Sequence, residues 1–392
     1  MKEVVIVSYV RTPISRSRPR EPERDVFNSV RADELASMVI REVVKRSGID
    51  PKLIDECIFG CANQTAEQYT YGGRLFSLPA GLPIEVSAMS LDRQCASAMS
   101  SIHVGAMEIM TGFSDIVVAG GVEHMTHIPM GHGVNPNQKI LALEKRFDWL
   151  TAFNMGLTAE KLSAESGISR KEQDEWSARS HQLAAKAQAE GFFKGEILPV
   201  EVTLPDGKKQ IIETDQSIRP DTTVEKLATL PPAFKQPDGI ITAGNSSPLN
   251  AGAAAVMLMS KEAAKKHGLE PMATIKSIAW AGVDPSVMGK GPVPASKKAL
   301  KYAKLEVKDI DFWEINEAFA VVTLYAIKQL GINPDIVNVK GGAIALGHPL
   351  GMSGTRIVGT LARILEKEGG RRGLATLCVG GGQGAATIIE RE

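Results

Sequence analysis

Cysteine is scarce in this chain, with four in 392 residues. So few thiols make no disulfide framework, which points to a reducing, cytoplasmic setting. Aromatic residues are only 5% of the sequence, and no apolar run approaches the roughly 18 residues that a membrane span needs. Charge of one sign is not in excess either. Lys+Arg and Asp+Glu both number 45, so nucleic acid and anionic membrane are poor partners. The opening "MKEVVIVSYVRTP" has a short apolar run, Val4 to Val7, but no small-residue cleavage site follows. It reads as a first strand, not a signal peptide.

What is present is ordinary globular composition, 43% hydrophobic and 23% charged. At roughly 150 residues per unit, the length suggests two or three domain-sized parts. Short β-branched runs alternate with segments of helical period, the pattern of an α/β protein. Strands are expected in "EVVIVSYV", "ECIFGCA", "DIVVAGG", "ATIKSIAWAG", "DFWEINEA" and "LATLCVGGG". Helices are expected over 32–47, 96–111, 170–190, 296–304, 318–330 and 352–368.

The sequence also repeats itself. A helix over 32–47 leads through "GIDPKLIDECIFG" into a strand, and a helix over 296–304 leads through "LEVKDIDFWEINE" into another. Further on, "QCASAMSSIHVGAMEIMTGFSDIVVAGG" and "GHPLGMSGTRIVGTLARILEKEGGRRGLATLCVGGG" both read as turn, helix, strand, diglycine. Cys95 and His348 thus occupy matching turns of two copies. If the copies pack about a pseudo-twofold axis, both helix N-termini converge on one pocket. The expected organisation is an N-terminal half over 1–121, completed by about 246–270, and a C-terminal half over 271–392. Residues 122–245 fit neither copy and read as an inserted loop domain.

Cys95 is followed by small residues and a helix that is apolar nearly all round, so it is expected to be buried. Two readings fit. It is a small buried hydrophobe, or a thiol activated by the positive end of a helix whose free N–H groups also hold an oxyanion. His348 stands among Gly347, Pro349 and Gly351, a constraint that a core histidine rarely needs, and an imidazole near a thiol can take its proton. Cys378 runs into "GGGQG", where backbone can approach a ligand closely. That loop lacks the GK[ST] of a phosphate-binding loop. Asn316, in "EINEAF", either caps the following helix or offers an amide to the site. Two thiols, an imidazole and an amide at element ends point to acyl transfer through a thioester.

Along nearly its full length the chain resembles the thiolases, in "GGAIALGHPLG", "NEAFA", "AGNSS" and "LCVGGGQGAA". The resemblance implies duplicated α/β halves in five layers, αβαβα. It implies Cys95 as the acyl-accepting nucleophile, His348 as its base and Cys378 as a second acid/base. It also implies Asn316, through a water, together with His348, as donors to an enolate or thioester oxygen. The N–H groups of Cys95 and Gly380 would form the oxyanion hole. Coenzyme A is implied as co-substrate, held by the loop domain, with Ser247 at the pantetheine, Arg219 and Phe234 near the adenine nucleotide, and Asn154 where a pantetheine-contacting histidine often stands. No metal or redox cofactor is implied.

Several positions depart from the family pattern. Asp92 and Ala96 stand where Asn and Gly are usual, Lys340 where Asn is usual, and Ala251 where Asp is usual. These bear on rate and substrate preference. Cys57 and Cys61, four apart in a strand-like run, are expected on one face, but with no second pair nearby they do not read as a zinc site. The trio His124, His127 and His132 lies in a stretch that resembles degradative thiolases, which implies that it lines or covers the acyl pocket rather than holding a metal. Met107 and Met155 read as core residues.

The expected activity is thiolytic cleavage of 3-ketoacyl-CoA by a degradative thiolase of β-oxidation, since "GGVEHMTHIPMGHGV" and "IRPDTTVEKLATLPPAF" resemble that branch. The alternatives are the biosynthetic acetyl-CoA acetyltransferase, a ketosynthase-type condensing enzyme, which Cys378 argues against, and a non-catalytic acyl-CoA carrier. A homodimer or homotetramer is expected, and a hydratase/dehydrogenase partner fits the degradative branch.

Overall fold

The computed structural model describes all 392 residues. Its strands are β1 (Val4–Arg11), β2 (Ser15–Arg16), β3 (Glu56–Gly60), β4 (Ser87–Leu91), β5 (Ile116–His124), β6 (Val200–Thr203), β7 (Lys209–Ile212), β8 (Asn250–Ser260), β9 (Ala273–Gly282), β10 (Phe312–Ile315), β11 (Arg372–Val379) and β12 (Gln383–Glu390). All but β6 and β7 join one sheet, ordered β10-β11-β12-β9-β1-β8-β5-β3-β4, with β2 also on β8.

That order reads the same from both ends. In the first half β3 and β5 are parallel, while β5–β8 and β8–β1 are antiparallel. In the second half β10 and β11 are parallel, while β11–β12 and β12–β9 are antiparallel. The parallel edge strand β4 has a counterpart reduced to one parallel bridge, Trp313 to Val337. The halves join edge to edge where Val5 faces Thr274 and Ile6 faces Ala273. This is the symmetry that the repeated sequence implies.

Period-2 side-chain alternation sorts the core into layers. Val5, Ala255 and Met257 pack outward on helix Ala32–Ser47. Ile6, Val256 and Leu258, with Leu377 and Val379 of the other half, enclose two central helices, Ser97–Thr111 and Leu350–Glu368. Leu374, Ala386 and Ile388 pack outward on helix Pro292–Ala303. The result is helix, half-sheet, central helices, half-sheet, helix. The central helices meet backbone to backbone: a Cβ on Gly354 would lie 2.3 Å from the Met99 nitrogen. Leu361, in the second of them, is fully buried against Gly373 of β11, and truncating such a leucine to alanine costs about 2–5 kcal/mol.

The segment between the halves holds helices Met155–Ser166 and Arg170–Ala189 and the β6–β7 hairpin. It is fastened to β1 by Arg11, whose guanidinium reaches Glu196 at 2.6 Å and Asp215 at 2.7 Å with all three side chains fully buried. Removing one partner of such a buried pair costs roughly 3–5 kcal/mol.

Helix 32–47 and strand 273–282 lie where the sequence pattern puts them. The helix expected over 296–304 begins earlier, at Pro292, because proline fits a first helical turn. The helix expected from 318 begins at Ala320, because Ser246 and Phe319 form an antiparallel bridge. Four strands of the large sheet escaped the pattern: β2, β4, β8 and β12. In β8 the run "NAGAAAVMLMS" is fully buried on both faces, so it shows neither alternation nor β-branched enrichment. No helix is long and apolar enough to cross a membrane.

Candidate active site

Cys95 sits in a one-turn 3-10 segment, Gln94–Ala96, that runs directly into helix Ser97–Thr111. The turn is held from both sides. Asp92 Oδ1 accepts from the Gln94 N–H at 2.6 Å, and Ser97 Oγ accepts from the Arg93 N–H at 3.0 Å. Gln94 has a φ of 45°, a left-handed conformation unusual for a side-chain-bearing residue. The thiol is 8% exposed, and burial pushes its pKa up to about 11. The backbone N–H groups of Gly380 and of Cys95 itself act in the opposite sense, lowering it.

His348 precedes helix Leu350–Glu368, whose N-terminal end packs on the Cys95 turn. Its N–H donates to Asn250 Oδ1 at 2.8 Å, and Asn250 Nδ2 donates to the Ser15 carbonyl at 2.7 Å. Gly347, at φ 116°, leaves no room for a Cβ beside Ile14 and Asn250. The ring is fixed by Ser353, 2.6 Å from Nδ1. Ser353 Oγ also donates to the Pro349 carbonyl at 2.7 Å, so its lone pair faces Nδ1. That assigns the proton to Nδ1 and leaves Nε2 as the free base. Burial, then Arg356, lowers the imidazole pKa to about 3, so the ring is neutral at physiological pH.

Asn316 follows β10 and continues its pairing, with its N–H on the Thr376 carbonyl at 3.0 Å. Its amide nitrogen lies 3.4 Å from both ring nitrogens of His348, and its Oδ1 is buried with no partner. Cys378 lies in β11 opposite Gly384, with no exposure. Burial first, and then charge on Cys95, holds its thiol well above the ordinary range. Cys378 belongs to a buried apolar cluster with Leu162, Met288, Ala318 and Phe319, and Met155 packs partly buried against it. Beside it, a Cβ built on Gly380 would meet only Met155 Sδ at 3.7 Å and Gln94 at 3.8 Å. The loop therefore borders the pocket without filling it.

Three of the four expected coenzyme contacts gather at one side of this pocket. The Ser247 N–H donates to the Ala318 carbonyl at 3.0 Å. Phe234 is 40% exposed, edge-on to Phe319 at 6.0 Å and lying against Gly156. Asn154 is exposed and caps helix Met155–Ser166 through Leu157 at 3.2 Å. Arg219 is exposed elsewhere, its N–H on His181 Nδ1 at 3.2 Å.

Of the departures, only Asp92 and Ala96 border the reacting groups. Lys340 pairs with Glu368 and lies over the Phe192 ring, and Ala251 is buried in β8. His124 and His127 stack at 3.9 Å, and His127 Nδ1 is 2.9 Å from Glu67. His132 is exposed, apart from that pair. Cys61 lies beyond the end of β3, so it does not share a strand face with Cys57. Met107, expected in the core, is 38% exposed. Sequence reasoning missed the supports: Asn250, Ser353, Glu123 and Glu317. Glu317 accepts from Trp176, Ser180, Asn338 and the Ile344 N–H, and so fastens the His348 loop to the inserted segment. Its signal was present, adjacent to Asn316 in "EINEAF".

A buried thiol at a helix start, a neutral imidazole and a second buried thiol are groups that acyl transfer through a thioester requires. The profile described as "Thiolase, N-terminal domain" matches residues 4–262, and "Thiolase, C-terminal domain" matches residues 269–391. The chain belongs to the thiolase family, and it is an acyltransferase. It is 48% identical, over all of this chain and 98% of the relative, to a 3-ketoacyl-CoA thiolase of Marinobacter nauticus, and equally to one of Hahella chejuensis. Among solved structures it is similar to human mitochondrial 3-ketoacyl-CoA thiolase, at TM-score 0.90 and 36% identity, covering 100% of this chain and 99% of that one. It is also similar to the Bacillus anthracis acetyl-CoA acetyltransferase, at TM-score 0.88 and 40% identity with the same coverage.

Proposed function

We propose that this chain is a 3-ketoacyl-CoA thiolase of fatty-acid β-oxidation, cleaving 3-ketoacyl-CoA with free coenzyme A by a ping-pong route. The observation that carries the reading is full-length identity of 47–48% to relatives named for that activity. In the first half-reaction the Cys95 thiol gives its proton to His348 Nε2, and its sulfur bonds to the keto carbon. The C2–C3 bond breaks, its electrons enter the enolate of acetyl-CoA, and the Cys378 thiol protonates C2. In the second, the Cys378 thiolate takes the proton of coenzyme A, whose sulfur attacks the acyl-enzyme. Cys95 leaves and recovers its proton from His348. The N–H groups of Cys95 and Gly380 hold the oxyanion of the acyl-enzyme, and Asn316, through a water, with His348 holds the enolate or thioester oxygen.

Coenzyme A is the co-substrate; a structure of the human mitochondrial 3-ketoacyl-CoA thiolase contains it. Ser247, Phe234 and Asn154 would meet its pantetheine and adenine portions beside the pocket, and Arg219 would meet a phosphate from outside. The working division is 1–121 with about 246–270, 122–245, and 271–392, the middle unit holding coenzyme A. A homodimer or homotetramer in the cytoplasm is the expected state, with a hydratase/dehydrogenase as a further partner. The edge strand β4, half exposed with Met89 at 39%, supports pairing with a second copy.

The second reading is the acetyl-CoA acetyltransferase, favoured by higher identity to the Bacillus anthracis structure than to the human one. Thiolysis of 3-ketoacyl-CoA from four to sixteen carbons decides. Rates that hold or rise with length support the degradative enzyme; activity confined to four carbons overturns it.

A further inference from the structure

Outside the reacting groups, one buried carboxylate touches both halves of the site. Glu123, in β5, is 1% exposed. Its Oε2 accepts from the N–H groups of Ala62 and Gly351, both at 2.9 Å. Its Oε1 accepts from Gln68 Nε2 at 2.7 Å and lies 3.7 Å from Cys61 Sγ. Gly351 is the second residue of the helix that follows His348. The Ala62 carbonyl accepts from Nε2 of Gln94, the residue before Cys95, at 3.2 Å. A single side chain thus connects the base's helix to the nucleophile's turn. Burial raises the pKa of this carboxyl, and the donors Ala62, Gln68 and Gly351 oppose that shift; as a carboxylate it stands at the positive end of that helix.

An amide cannot take its place. Gln68 Oε1 already accepts from the His124 N–H at 2.7 Å, so Gln68 turns its NH2 group toward Glu123. Every group facing Glu123 is therefore a donor. A glutamine there would set its own NH2 against one of them.

We propose that Glu123 is a positioning residue for the nucleophile–base pair, holding the His348 helix and the Cys95 turn at the separation that lets His348 Nε2 take the Cys95 proton. It touches no reacting atom. Around Cys95 the other charged or titratable groups are Asp92 and Cys378, and around His348 the charged group is Arg356. Glu123 and Asp92 both act to keep Cys95 in its thiol form.

The proposal rests on reading Cys95 as nucleophile and His348 as base. Its test is thiolysis kinetics of Glu123→Gln and Glu123→Asp in the full chain, with the pH dependence of Cys95 alkylation by iodoacetamide. Glu123→Gln is expected to lower kcat roughly 10- to 100-fold with KM nearly unchanged. Its alkylation midpoint should move to lower pH, because a negative charge near the thiol is gone. Glu123→Asp, which keeps the charge, should keep the parent's midpoint and recover part of kcat. A kcat within about twofold of the parent, or an Asp variant no better than the Gln variant, overturns it. If Glu123→Gln fails to fold, Gln68→Ala with Glu123→Asp carries the test, and an unchanged kcat in both overturns it. An inactive parent would instead overturn the functional reading, while the alkylation midpoints still report on Glu123.

Discussion

The amide nitrogen of Asn316 lies 3.4 Å from both ring nitrogens of His348, while its carbonyl oxygen, fully buried, meets no partner. An unpaired buried oxygen costs about 1–3 kcal/mol, so a plain structural asparagine would not be left so. The arrangement suits a group that orients a water for a transient oxyanion. Asn316→Ala is expected to lower kcat by roughly 10²–10³ with little change in the urea midpoint. Equal losses of kcat and stability would make it structural.

Ser353 sets which nitrogen of His348 carries the proton. Ser353→Ala frees Nδ1 to turn or to take the other tautomer, and kcat should fall about tenfold while the KM for coenzyme A stays the same. Unchanged kcat would remove the tautomer argument.

Cys378 and Cys95 divide the proton transfers. Cys378→Ser should reduce turnover at least ~100-fold, because a hydroxyl is far less acidic than a thiol. Cys95 in that variant should still react with iodoacetamide. Loss of both would mean that Cys378 only supports the pocket.

His103 tests how burial makes stability depend on pH. It is fully buried, 2.8 Å from Thr387, and its pKa is lowered to about 3, first by burial and then by Arg93. The unfolded chain takes this proton below pH 6.5, the folded chain only near 3. The contribution is therefore present above 6.5 and lost as pH falls, by about 1.4 kcal/mol per pH unit. His103→Gln should flatten the fall in urea midpoint between pH 6.5 and 5 relative to the parent, since other groups cancel in the comparison. Parallel profiles would contradict this.

The repeat was legible because both copies keep turn, helix and strand in order, and it forces the mirrored sheet. Cys95, His348 and Cys378 were legible because glycine and small residues surround them for reasons of close approach. Strand β8 was not, since a strand buried on both faces loses its alternation. Glu123 and Asn250 were not either. Their importance lies in backbone groups more than 90 residues away, Gly351 from Glu123 and His348 from Asn250, and no local pattern records such a contact.

The central claim is that Cys95 carries the acyl group. Mixing the protein with a 3-ketoacyl-CoA and no free coenzyme A, then measuring peptide masses, tests it directly. The account predicts the shortened acyl group on the Cys95 peptide, with acetyl-CoA released in equal amount, and neither in Cys95→Ala. An acyl group on Cys378, or acetyl-CoA release that survives Cys95→Ala, would contradict it.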